Sequence, residues 1–284
     1  MEGGSINEFT LTPISPPTKT IWGPVFAFSD IVKYRFLVWS LVKRNLRSKY
    51  RAAGLSYFWM VLEPLLLAIT YWFLFIMLAG NPDELYPVWV LVGVIVWGAF
   101  GKSLSASVSS LTSNTQIIQT AFFPRIIFPF SSTLSIILTS IGSTMVLIPI
   151  IIFFNTPITI QLIWVPIGII FAGIMGGVFG IIFAPLNCRI RDIEHFFKFV
   201  VRAGFFFSPV MWTAEMALER GDLGMAAMWN PMTTPITMVR HGINGNLVQL
   251  PVEAIFSFMI FFIISLIIGP IFFMRGQRQA VKFL

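Results

Sequence analysis

Five ionisable residues, Arg191, Glu194, His195, Lys198 and Arg202, recur at steps of three and four, a spacing that gathers them on one face of a helix. Phe196, Phe197, Phe199, Val200 and Val201 fill the other faces. Such a row reads either as a cationic ladder at the mouth of a conduit or as a helix end whose long side chains snorkel to an interface and pair, Glu194 with Lys198. Spacing alone leaves both open. A second cationic set lies upstream, where Lys33, Arg35, Lys43, Arg44, Arg47, Lys49 and Arg51 occur without one Asp or Glu. Phe36, Leu37, Trp39, Leu41, Val42 and Leu46 are interleaved at roughly helical spacing, as in a helix lying on an anionic membrane surface.

Other chemistries lack their residues. The only trace of a nucleotide site is Gly101, Lys102 and Ser103, and the glycine that a phosphate loop places five residues earlier is Val96. His195 and His241 are expected on opposite sides of a membrane, so they cannot form a metal site or an acid–base pair. Asp192 with Glu194, and Glu215 with Glu219 and Asp222, have no recognisable catalytic spacing. The single cysteine, Cys188, forms no internal disulfide and is too few for a thiolate metal site. No catalytic residue, metal or cofactor is therefore assigned to this chain. Its formal charge of +7 sits beside hydrophobic spans and not in a separate basic domain, which favours lipid head groups over nucleic acid.

The elements that must position these residues follow from composition. The 284 residues are 56% hydrophobic and 11% charged, with a mean hydropathy of +0.84, the signature of an integral membrane protein. Because a bilayer core of about 30 Å needs about 20 apolar residues in a helix, spans are expected at about 57–79, 88–112, 127–154, 162–186 and 252–274. A doubtful sixth at 192–212 is decided by parity. The basic tail with Arg275, Arg278 and Lys282 and the basic segment before the first span both belong on the cytoplasmic side, so crossings come in even number. Residues 1–20 have no apolar core before a cleavage site and are not expected to be a signal peptide. Glu63, before Pro64, is expected to pair with a base of the surface helix; a proton-coupling role is the less favoured reading. Gly173, Gly176, Gly177 and Gly180 form overlapping small-residue spacings that let another helix approach, within or between protomers.

Four ordered stretches carry a family resemblance. Residues 41–50, leading to Trp59 and to Leu62, Glu63, Pro64 and Leu65, resemble the opening of the polysaccharide-exporting permeases of ATP-binding-cassette transporters. Residues 114–125 resemble that family's cytoplasmic coupling helix and its Phe123, Pro124, Arg125 turn. Residues 187–192 and Ser208, Pro209, Val210 resemble the loop before the fifth span and part of that span. Asn230, Pro231, Met232 and Met238, Val239, Arg240 resemble the outer segment ahead of the last.

The resemblance implies an all-α membrane protein with a polar cytoplasmic tail (1–30), an amphipathic interface helix (31–52) and a six-span domain (53–284) containing a coupling helix (114–123) and outer gate helices (213–251). It implies a homodimer in a bacterial inner membrane, with both termini cytoplasmic, two copies of a separate ATPase that handles ATP and Mg, and a lipid-linked polysaccharide of the O-antigen, capsule or teichoic-acid class as cargo. Asn114, Thr115, Gln116, Ile117, Ile118, Gln119, Phe122, Phe123, Pro124 and Arg125 would couple to the ATPase. Pro124 would keep the short helix from merging with the next span. Arg44, Arg47, Tyr50, Arg191, Lys198 and Arg202 would admit the substrate, Tyr57, Tyr71 and Phe197 would line the pore, and Trp229, Pro231 and Arg240 would form the outer gate. A small-molecule or lipid exporter of the same superfamily and a membrane-embedded glycan-modifying enzyme remain as alternatives.

Overall fold

The computed structural model describes residues 22–50, 56–79, 85–120, 123–154, 156–246 and 248–283. These are all helix, turn or irregular chain. Four helical segments are long and apolar enough to cross a membrane: Tyr86–Val108, Ile127–Phe153, Ile160–Arg189 and Val252–Ala280. In order the helices are α1 (Gly23–Lys33), α2 (Arg35–Tyr50), α3 (Ser56–Ala79), α4 (Tyr86–Val108), α5 (Thr115–Thr120), α6 (Ile127–Ser143), α7 (Leu147–Phe153), α8 (Trp164–Arg189), α9 (Asp192–Phe207), α10 (Ala214–Leu218), α11 (Asp222–Met228), α12 (Thr233–Asn244) and α13 (Val252–Ala280).

Helix α4 is the centre of the molecule, buried along most of its length, and α8 packs along it. The α8 glycines explain how. A Cβ on Gly176 would collide with the Phe100 carbonyl, and one on Gly180 would come within 2.7 Å of the Leu104 carbonyl oxygen. Gly173 and Gly177 turn toward Ile137 and Thr133 of α6. The glycine row thus serves packing inside the protomer, with backbone set against backbone. Ser107 Oγ donates to the Gly177 carbonyl at 2.8 Å across the seam. Around this core, α13 and α7 leave large apolar side chains exposed, among them Phe256, Ile260, Ile264, Ile148, Ile152 and Phe153, as helices facing lipid or another protein do.

The described chain departs from expectation at three places. The interface region is two helices broken by a turn at Tyr34, and the first begins at Gly23, inside the segment expected to be polar tail. Pro24 favours the first turn of a helix, and Gly23 lets α1 close on the α13 backbone at Ile271. The coupling segment is a single 3₁₀ turn, Thr112–Asn114, followed by the six-residue α5. Helix α9 has sixteen residues, so it rises only about 24 Å at 1.5 Å per residue before extended backbone at Ser208 ends it.

Candidate functional site

At the end of the bundle that carries α2 and α5, the coupling candidates divide into two sets. Asn114 and Ile118 are buried, whereas Gln116, Gln119 and Phe123 are exposed, with Thr115, Ile117, Pro124 and Arg125 between; Phe122 lies outside the described residues. Asn114 is therefore anchored within the protein. Its amide donates to the Ser110 carbonyl at 2.7 Å, and its Oδ1 accepts from the Arg44 guanidinium of α2. Next to this bond, Asn45 Nδ2 donates to Ser135 Oγ of α6 at 3.4 Å. The Tyr34 ring meets Phe123 edge-on with centroids 6.5 Å apart, and Arg125 donates to the Gln277 carbonyl near the end of α13 at 3.3 Å. Burial alone pushes the Arg125 guanidinium below its ordinary pKa. The knob is tied to the surface helix on one side and to the last helix on the other.

Arg44 was expected among the residues that admit substrate, and the structure gives it this bracing contact. Arg47 is exposed on α2, which buries Val38, Leu41 and Val42 against the bundle and leaves Phe36 and Trp39 outward. Lys43 lies over the Trp39 ring at 5.8 Å, a cation–π pair suited to a head-group boundary. Tyr50 ends α2, and Tyr57 lies in the first turn of α3.

Along the bundle, Arg191, His195, Lys198 and Arg202 are exposed on α9. Lys198 and Glu194 pair at 2.6 Å, as the bland reading held, without taking up the other cations of the row. Asn187 Oδ1 accepts from the Glu194 N–H at 3.1 Å and sets the start of the helix. Glu63 of α3 pairs with Lys102 of α4 at 3.0 Å. The expected partner was a base of the surface helix. A lysine in an apolar span, as Lys102 is, is itself the signal of such a pairing. Glu63 and Lys102 remain about half exposed. The Trp97 indole donates to the Val201 carbonyl at 3.2 Å, which lays α9 beside α4. Tyr71 packs on Phe205 with centroids 4.7 Å apart, closing α3 onto α9. Phe197 does not line this polar face. It is 4% exposed and packs on Phe179 and Phe183, on the face of α9 that meets the core, while Phe196 and Phe199 point outward.

At the opposite end, three stretches singled out in the sequence meet. Asn230 Nδ2 donates to Ser208 Oγ and to the Phe207 carbonyl, both at 3.0 Å, while its Oδ1 accepts from the Met232 N–H at 2.9 Å. Arg240 lies at the centre of the network. Its guanidinium donates to the carbonyls of Val210 and Trp212 at 2.9 Å, and twice to that of Trp89, at 3.1 and 3.3 Å. Burial pulls its pKa down to about 10, against the opposing influence of Glu215 and Tyr86. Arg240, expected in a gate, is a buried fastener. Trp229 is exposed and Pro231 half-buried.

These features match known proteins. The ABC-2 type transporter profile covers residues 36–244, and the chain belongs to that family: it is the membrane subunit of a transporter and not a catalytic one. It is 28% identical over 210 residues to an "O-antigen export system permease protein RfbA" of Klebsiella pneumoniae, covering 73% of this chain and 80% of that protein. A protein of the same description in Myxococcus xanthus is 22% identical over 212 residues, again 73% and 80% of the two chains. Membership in the family implies an ATPase partner.

Proposed function

We propose that this chain is the permease of an ATP-driven exporter that carries a lipid-linked polysaccharide from the cytoplasm to the outer face of a bacterial inner membrane. It would act as a homodimer with two ATPase copies. The observation that carries the reading is the polar face formed by α3, α4 and α9. Glu63, Lys102, Lys198 and Arg202 are exposed on helices whose other faces are apolar, and lipid tolerates no such row. An aqueous path between protomers accommodates it. The names of the relatives supply the class of cargo.

In this reading α3 and α9 complete six crossings with both termini cytoplasmic. Helix α9 is too short alone, so Ser208 and the four residues after it would continue through the outer leaflet as irregular chain. Backbone of that kind is tolerated at membrane depth only where protein satisfies its polar groups, and the Arg240 guanidinium takes up the Val210 and Trp212 carbonyls. The anionic lipid head would be admitted near Arg47 and the row from Arg191 to Arg202, with Arg44 and Asn114 transmitting movement of the ATPase from the exposed face of α5 to α2.

The test is the complex of this chain with its ATPase partner in lipid nanodiscs. ATP hydrolysis should rise with the cell's own lipid-linked polymer and fall back when Lys198 and Arg202 are both changed to Glu. Stimulation by small lipids but not by polymer would favour an exporter of another cargo. Turnover of glycan by the chain without an ATPase would overturn the reading.

A further inference from the structure

Between α10, α12 and the first turn of α4 lies a cavity of about 370 Å³ that the polar face does not include. Its volume falls in the range of small-ligand sites, about 300–1,000 Å³. Glu215 of α10 and Glu219, the residue just after that helix, line it from one side, and Thr237, His241, Asn244 and Asn246 from the other. Two observations show that it is a built site and not a crevice. Thr237 is 4% exposed, and its hydroxyl has no hydrogen-bond partner among the described residues, a costly state for a buried polar atom. His241 is also oriented: its Nδ1 accepts the Gln249 N–H at 3.0 Å, leaving Nε2 to face Glu215 Oε1 at 3.9 Å.

The chemistry selects the ligand. Two carboxylates on the rim repel phosphate and other anions, and the one cation at the floor, Arg240, already donates to three carbonyls. A metal ion is disfavoured, since no group of three His, Cys, Asp or Glu among the described residues could hold one. Carboxylates that accept and amides that both donate and accept match a neutral ligand whose hydroxyls do both, and a rotation of the Thr237 side chain would turn its unpartnered hydroxyl, closed to water as it stands, toward such a ligand. We propose that this cavity is a saccharide-binding subsite, one per protomer, that holds a neutral sugar residue of the polymer as it emerges beside α10. The inference rests on the reading of the chain as a glycan exporter and adds a place where the cargo is gripped.

The test is hydrogen exchange of the full complex in nanodiscs with ATPase bound. The probe is the delipidated surface polysaccharide of the cells that make this transporter. Peptides covering α10 and α12 should exchange more slowly with the polysaccharide, while those of α5 do not change. The protection, judged for each protein against its own polysaccharide-free exchange, should be lost in Glu215→Gln combined with Thr237→Val, of which Thr237→Val removes an unpaired hydroxyl at constant shape. The inference is overturned if the polysaccharide gives no protection, if protection survives the double substitution, or if calcium chloride alone produces it. Polymer-stimulated ATP hydrolysis without protection sinks the subsite and leaves the exporter standing; neither stimulation nor protection sinks both.

Discussion

Replacing Arg240 with Met should be among the most damaging single changes in the molecule. Methionine keeps the volume of the stem but leaves the Trp89, Val210 and Trp212 carbonyls without their donor. Each abandoned buried carbonyl costs about 1–3 kcal/mol, so three together cost about 3–9 kcal/mol. Part is recovered because a guanidinium with no carboxylate within ion-pair distance no longer has to be buried, a relief of several kcal/mol. The net loss is about 2–5 kcal/mol, which for a chain of this size lowers the unfolding midpoint by roughly 5–15 °C. The assay is thermal unfolding of the purified protein in one detergent, with hydrogen exchange locating the loosening at α12 and residues 208–212. Arg240→Lys discriminates further, because an ammonium is a compact donor that cannot span three carbonyls as the planar fork does. It should recover less than half of the loss. If Arg240→Met melts within two or three degrees (about 1 kcal/mol) of the parent, or Lys restores full stability, the network is not the fastener described.

Four further outcomes follow from the same geometry. Gly176→Ala should destabilise by about 1–3 kcal/mol through overpacking, read as loss of folded protein on size exclusion, whereas Gly98→Ala, with nothing within 4 Å of the added atom, should not. Arg44→Ala and Asn114→Ala should each weaken the link between ATP hydrolysis and export, and the double variant should be no worse than the more severe single one, since both remove one bond. Glu63→Gln should move the melting point by no more than about 1 kcal/mol allows, because a half-exposed pair contributes little; exchanging Glu63 and Lys102 should preserve export if the pair faces water. The His241 ring holds the Glu215 carboxyl at about 2, below its ordinary 4.5. Its stabilising contribution is then complete above pH 4.5 and is lost as pH falls toward 2, so α10 exchange should quicken over that interval in the parent but not in Glu215→Gln.

How much of this could be read from the sequence depends on the range of the interactions. The apolar runs of α4, α8 and α13 are signals contained within each segment, and they show without knowledge of neighbours. The end of α9 at Ser208 does not: the apolar run carries the expected span on to 212, although a proline follows at 209. The partner of each feature does not show. Spacing marks Gly176 as a contact glycine but cannot say that Phe100 is what it touches. Phe196 and Phe197 are alike in type, and only the folded α9 separates the exposed ring from the buried one. Arg240 reads as a polar gate residue because the carbonyls that bury it lie 28, 30 and 151 positions away. The bond from Arg44 to Asn114 is hidden for the same reason, the two standing 70 residues apart. The subsite residues, scattered between positions 215 and 246, carry no pattern that spacing could detect.

The glycine seam between α4 and α8 has a mechanical corollary. Where Gly176 and Gly180 rest on the Phe100 and Leu104 carbonyls and Ser107 is bonded across to Gly177, no long flexible side chain lies between the two helices to absorb a slide by changing rotamer. In the proposed homodimeric glycan exporter, a passage for sugar rings would therefore not open by splitting the protomer down its middle. The protomer would move as a solid wall, and widening would come from tilting that wall about α3 and α9 against its partner.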